Sequence, residues 1–231
     1  MEFFEAVGKR RSIRKFSNEE IPEAVMKKAF EAAVLAPNSS NVQTWNFFWV
    51  RNPEKKAKLV EYCLSQSAAR TAKELVVVTA DPANWRRSQN PLLAWVEKAN
   101  APKPVHIYYK TLIPAIYGGG LFRLLAPLKW LGFFLTGLIR PMQRGPVSLR
   151  DLQEVCIKSA ALAAENLVLA LVAQGYATCM MEGFDEWRVR RLLKLGRTER
   201  VLMVIGIGRE GDRSTWGPQY RLPLEQVVHE V

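Results

Sequence analysis

Three guanidinium groups fall within five residues at Arg10-Arg11-Ser12-Ile13-Arg14, with a hydroxyl among them. A guanidinium offers a planar fork that meets phosphate oxygens in pairs and stays charged at any working pH. The run can therefore hold an anion, or it can be a solvated basic turn. A second group, Ala36-Pro37-Asn38-Ser39-Ser40-Asn41-Val42-Gln43-Thr44-Trp45, is a polar loop between a predicted helix and a predicted strand. Its amides can pair with the edge of a polar heterocycle or simply satisfy turn backbone. The third, Met181-Glu182-Gly183-Phe184-Asp185, reads as a strand end turning into a helix. The fourth, Pro218-Gln219-Tyr220-Arg221-Leu222-Pro223, can return one more arginine to an anion from the far end of the chain.

Other chemistries have little to work with. His106 and His229 are the only histidines, and Cys63, Cys156 and Cys179 are scattered, so neither a metal centre nor a disulfide framework is expected. A reducing compartment is the default, and the opening MEFFEAVGKRRS lacks a secretory pattern. No Ser/His/Asp or Cys/His arrangement stands out. The triple glycine Gly118-Gly119-Gly120 follows no strand-to-helix context and reads as a flexible turn rather than a dinucleotide fingerprint.

The elements that must position these groups follow from periodicity. A helix is predicted after Ser17-Asn18-Glu19-Glu20 and Pro22, with Val25, Ala29, Ala32 and Leu35 on one face, stopping at Pro37. Asn46–Val50 reads as a strand, residues 53–65 and 67–73 as helices, and Leu75–Ala80 as a buried central strand. Ser148 and Asp151 start the longest helix, which runs to Gly175 and is so apolar in its second half that burial on all sides, in the core or at a subunit interface, is expected. Tyr176–Met181 and Val201–Ile207 read as strands around a short helix over 186–195. The 231 residues, 48% hydrophobic and 24% charged, suit one globular domain. The expected class is α+β, a central mixed or antiparallel sheet flanked by helices.

In this order and spacing the four groups resemble the FMN-dependent nitroreductase family. Its R-R-S-x-R-x-F motif is matched by Arg10 to Phe16. Its P-S-S-x-N-x-Q-P-W loop is matched by Pro37 to Trp45, with Asn38 for the first Ser and Thr44 for Pro. Its G-F-D turn is matched by Gly183-Phe184-Asp185, and its R-L-P element by Arg221-Leu222-Pro223. The likeness covers residues 1–83 and about 148–231. It implies a nitroreductase-like fold, an intertwined homodimer, FMN at the dimer interface, and NADH or NADPH as electron donor. By resemblance, Arg10, Ser12 and Arg221 hold the flavin phosphate, and Arg11 follows the ribityl chain. Arg14 sits by the pyrimidine edge, where a cation stabilises the charge of reduction. Pro37, Asn38, Ser39 and Asn41 reach the cofactor from the other subunit. Gln66 matches an amide at the N3/O4 edge, and Met180, Met181, Glu182 and Gly183 match the segment along the ring towards N5. Gln219 stands where some members have a lysine. The implied reaction is ping-pong hydride transfer through the flavin to an electron-poor acceptor such as a nitroaromatic or a quinone, with no catalytic residue beyond the flavin and Arg14, Glu182 and Gly183 near its reactive ring. Other flavin chemistry such as dehalogenation, or a binding protein without turnover, are the alternatives.

The charge is unevenly placed. Net charge is +11, and residues 84–150 hold ten basic groups against one acidic. An excess concentrated in one apolar stretch speaks against nucleic-acid binding and for an anionic ligand or membrane surface. Residues 84–147 are expected to be an apolar, basic insertion. Within it, residues 105–141 read as an element lying on an anionic membrane, or as a lid or dimer-packing segment. A true crossing by Leu121–Ile139 is disfavoured by Arg123 and Lys129. The expected location is cytoplasmic, peripheral on the inner membrane face if that element docks there.

Overall fold

A computed structural model describes residues 1–118 and 126–231. A four-stranded antiparallel sheet lies at its centre, in the order β1-β2-β4-β3, formed by β1 (Trp45–Trp49), β2 (Glu74–Ala80), β3 (Ala177–Met181) and β4 (Arg200–Gly208). The predicted strands are present to within a residue or so, and the sheet is antiparallel throughout rather than mixed. Alternation along β2 sends Val76, Val78 and Ala80 to one core and Leu75 and Val77 to the other. The register between β2 and β4 shifts at Val78/Thr79, and the slip puts Val201 on the same side as Val204.

Helices cover both faces. On one side lie α2 (Glu23–Val34) and α9 (Leu149–Ala173), and on the other α3 (Pro53–Tyr62), α4 (Ser67–Thr71) and α10 (Glu186–Leu193). The chain opens with α1 (Phe3–Lys9). After β2 come α5 (Trp85–Lys98), α6 (Lys103–Ile107), a π-helical turn (Tyr108–Leu112), α7 (Ile113–Tyr117) and then α8 (Ala126–Ile139). Gly119, Gly120 and Leu121–Leu125, parts of the predicted turn and of the predicted 19-residue apolar element, lie outside the described residues. The described helix α8 has 14 residues, which at about 1.5 Å each falls short of the ~30 Å of a hydrocarbon core.

Two expectations need correction. The N-cap of α2 is Pro22, without a side-chain bond, because the Ser17 hydroxyl accepts from the Glu19 N–H in a local turn at 3.3 Å. The buried stripe of α2 is Met26, Ala29 and Ala33. The helix ends at Val34, leaving Leu35 81% exposed, and Val25 only packs against the core edge. Within one chain the second half of α9 leaves Leu162 49% exposed and Glu165 facing outward, so the core does not bury every side and the subunit-interface alternative stays open there. The capping box of α9 forms as expected, with Ser148 Oγ accepting from Asp151 N at 3.1 Å and Asp151 accepting from Ser148 N at 3.0 Å. By length and composition α9 could span a membrane, but ten of its residues are buried, so here it is the core helix.

Candidate functional site

The arginine segment is laid along the edge of β3. Ser12 pairs with Thr178 in a parallel bridge, and Ile13 N donates to Thr178 O at 2.9 Å. Ile13 and Phe16 are buried and anchor the segment, while Arg10, Arg11, Ser12 and Arg14 around them stay half-buried and Lys15 is exposed. Phe16 lies so close to Gly208 that a Cβ there would sit 2.8 Å from its own Cβ, and only glycine allows the segment this close to β4. Two backbone bonds then fix the exit: Ser17 N to Arg209 O at 2.9 Å and Gly211 N to Lys15 O at 3.0 Å.

The chain's far end returns to the same place. Arg14 N donates to Ser214 O at 2.8 Å, and the Arg14 guanidinium stacks 3.8 Å from the centre of the Trp216 ring. Arg11 donates to Gly217 O. Oriented to satisfy both ends of its amide, Gln219 donates to Gly8 O at 3.1 Å and accepts from Arg221 Nη2 at 3.2 Å. A glutamine at this position therefore ties Arg221 to the N-terminal segment without adding charge. Arg10 faces α9, its Nε 3.7 Å from Glu165, a partly exposed and loose pairing that leaves the fork free for another anion. The buried hydroxyl of Thr178 has no partner among the described residues.

Along β3 the site continues to the predicted ring segment. The positive charge of Arg14 acts on Cys179, whose thiol is nonetheless pushed up by burial. Met181 is buried, Met180 half-buried, and Glu182 and Gly183 are exposed. Gln66 donates to Gly183 O at 2.6 Å and to Cys63 O at 3.0 Å. Leu64 and Ser65, with φ of 57° and 50°, turn the chain so that Gln66 can reach across. A Cβ on Gly183 would stand 3.2 Å from Gln66 Nε2, so the glycine preserves this approach. Asp185 closes the segment by capping α10, accepting from Arg188 N at 3.0 Å.

The Pro37–Asn41 loop lies elsewhere. Ser39 N donates to Ser159 Oγ at 3.3 Å, and Ser40 shares a short hydrogen bond with the Tyr108 hydroxyl. Asn38 holds the loop from within, accepting from Gln43 N at 2.8 Å. Ser40, Asn41 and Gln43 all have left-handed φ, 58°, 52° and 53°, an arrangement that costs of order 1 kcal/mol each and is held by its surroundings. Much of that support is a polar chain that runs from buried Glu199 and Thr79 through half-buried Asn46 to Arg87 at the surface. Glu199 accepts from Asn46 Nδ2 at 2.7 Å and from Thr79, and Arg87 donates to Asn46 Oδ1 at 2.6 Å and to Gln43 O at 2.8 Å. Burial lowers the pKa of Arg87, and the charges of Glu199 and Asp81 offset part of that.

Within one chain, then, Arg10, Arg11, Ser12, Arg14, Gln219 and Arg221 are brought together, and β3 links them to Gln66 and Met180–Gly183. Pro37, Asn38, Ser39 and Asn41 are not brought to them. Ser159 and Glu165, which anchor the loop and Arg10, are six residues apart on α9, about 120° around its axis. Sequence reasoning missed Trp216, Ser214 and Glu165. Trp216 shares the C-terminal stretch with Gln219, but nothing in its spacing marks it as the plate for Arg14.

The sequence matches the Nitroreductase family over residues 7–209. This chain belongs to that family. The matched span includes residues 84–147, and the Pro218–Pro223 element lies beyond it. Protein DrgA of Synechocystis is 29% identical over 234 residues, covering 99% of this chain and 95% of that protein. An NADH dehydrogenase of Thermus thermophilus is 27% identical over 223 residues, covering 96% and 93%. A crystal structure from Exiguobacterium sibiricum, of a protein in complex with FMN, has the same fold, with a TM-score of 0.74 and 24% identity over 100% of this chain and 98% of that one.

Proposed function

We propose that this nitroreductase-family protein is an FMN-dependent NAD(P)H oxidoreductase that reduces an electron-poor acceptor, a nitroaromatic or a quinone. One observation carries the reading: the arginine segment and the Arg221 element, from opposite ends of the chain, meet beside β3. The donor set suits a phosphate monoester, with Arg10, Arg221 and the Ser12 hydroxyl available. FMN would supply hydride acceptance and donation, the step no side chain here can perform.

The chain's own residues bind and orient. Arg14, steadied by Trp216, places a fixed cation near β3 for the negative charge that reduction develops. Gln66 and the backbone of Glu182–Gly183 offer hydrogen bonds to a polar ring edge. The Asn38–Asn41 loop would complete the site in a second copy of the chain, since its own copy lies on another flank of α9. The FMN complex of the Exiguobacterium protein and the NADH dehydrogenase name of the Thermus relative agree with this cofactor pair.

The test begins with colour. A purified protein that is yellow, or becomes so with FMN, should be bleached anaerobically by NADH or NADPH and recover its colour on mixing with a nitroaromatic or a quinone. A colourless protein that cannot be reconstituted would end this reading.

A further inference from the structure

Helix α8 has no role in either core. No residue of it belongs to, or packs against, the two buried clusters among the described residues. Yet Leu128, Trp130, Leu131, Phe134, Leu135 and Leu138 are between 40% and 72% exposed, and Ile139 at its end is 87% exposed. At about 100° per residue these positions form one continuous arc covering roughly half the helix. Phe133, Thr136 and Gly137, half-buried, occupy the opposite side. Trp130 and Phe134 stack on the open arc at 5.5 Å and 12°. No polar side chain is described on that arc. An unbroken apolar face of this kind is a contact surface rather than a solvated one.

Charge selects what it contacts. From Lys98 to Arg150 the chain has eight lysines and arginines and no aspartate or glutamate. Arg140 and Arg144 are exposed at the end of α8, and Arg144 folds back to donate to Gly137 O at 3.2 Å, where a Cβ would meet its guanidinium at 2.9 Å. A symmetric pairing of α8 with its own copy would set this basic segment against itself. An acidic surface with an apolar interior suits both features.

We propose that α8 lies in the plane of an anionic lipid bilayer, with its open arc at the acyl boundary and Arg140 and Arg144 at the headgroups. Among the described residues α8 spans 14, fewer than a crossing needs and enough to lie flat. This docking is independent of the flavin reading.

The test is flotation of the full chain with phosphatidylcholine vesicles, with and without phosphatidylserine. Recovery with phosphatidylserine vesicles is expected to exceed that with neutral ones. The double change Arg140→Glu and Arg144→Glu should weaken binding to the anionic vesicles by roughly fivefold or more for each residue. The triple change Leu131→Ser, Leu135→Ser and Leu138→Ser should abolish flotation while the thermal melt stays that of the unmodified protein. Tryptophan quenching by bromine-labelled lipid should fall in Trp130→Phe. Failure of the unmodified protein to float, equal recovery on neutral and anionic vesicles, or unchanged flotation of the triple variant would overturn the proposal. So would a triple variant whose only change, in the absence of lipid, is a smaller sedimentation mass, which would make α8 a contact between copies.

Discussion

Arg14 is held by its backbone to Ser214 and by its guanidinium to the face of Trp216, while Arg11 and Gln219 tie the two ends of the chain together. The cations are thus aimed before any ligand arrives, which reduces the ordering that binding must impose. Removing one charge-assisted contact, by Arg10→Ala or Arg221→Ala, should cost about 1.5–3 kcal/mol, or roughly 10- to 150-fold in the FMN dissociation constant by fluorescence titration. Unchanged affinity in both variants would refute the phosphate assignment. The thiols make a second case. Burial pushes Cys63 and Cys156 up to about 11 and raises Cys179. Thiolate is then scarce at neutral pH, so a thiol reagent such as DTNB should react with none of the three until the protein is unfolded. The arginines were legible in the sequence because their type and clustering are local. Glu165 and Trp216 were not, because only the folded chain brings residues about 155 and 200 positions away to Arg10 and Arg14.

At the scale of elements, α9 anchors both the Asn38–Asn41 loop and Arg10, and depends on its first turn. Backbone N–H groups of Ser148 and Val147 hold the Asp151 carboxyl below its ordinary pKa. That contribution is present in full above the unfolded value near 4 and is lost as pH falls through the depressed folded one, so the cap should fail only in acid. Ser148→Ala should lower stability by about 1 kcal/mol in urea unfolding at neutral pH. The Glu199–Asn46–Arg87 chain does similar work for the left-handed loop. Asn46→Ala leaves a buried acceptor and a guanidinium short of partners, and should cost about 2 kcal/mol while exposing residues 38–43 to limited proteolysis. The capping box of α9 could be read directly, since Ser148 and Asp151 are three residues apart. The same logic failed at α2, where a proline stood between the capping residues and the helix and the serine bonded within its own turn.

At the scale of the whole molecule, the strands could be read because Leu75–Ala80 and Val201–Ile207 are continuous apolar runs that need cover on both faces. Their order, with β4 between β2 and β3, could not, since the β2–β4 pairing joins residues more than a hundred positions apart. Which side of α9 the chain leaves open, at Leu162 and Glu165, could not be read either: a helix made apolar for a neighbouring subunit has the same composition as one made for the core. Sedimentation equilibrium should give twice the chain mass, and Leu162→Arg should shift the protein towards monomer with little change in far-ultraviolet circular dichroism.

The angular offset between Ser159 and Glu165 has a consequence for handling the protein. A ligand gripped by both the loop and the arginines has to borrow one of them from elsewhere, so mass action links its retention to the concentration of the polypeptide. Dilution alone, with free flavin held constant, should bleed colour from the sample.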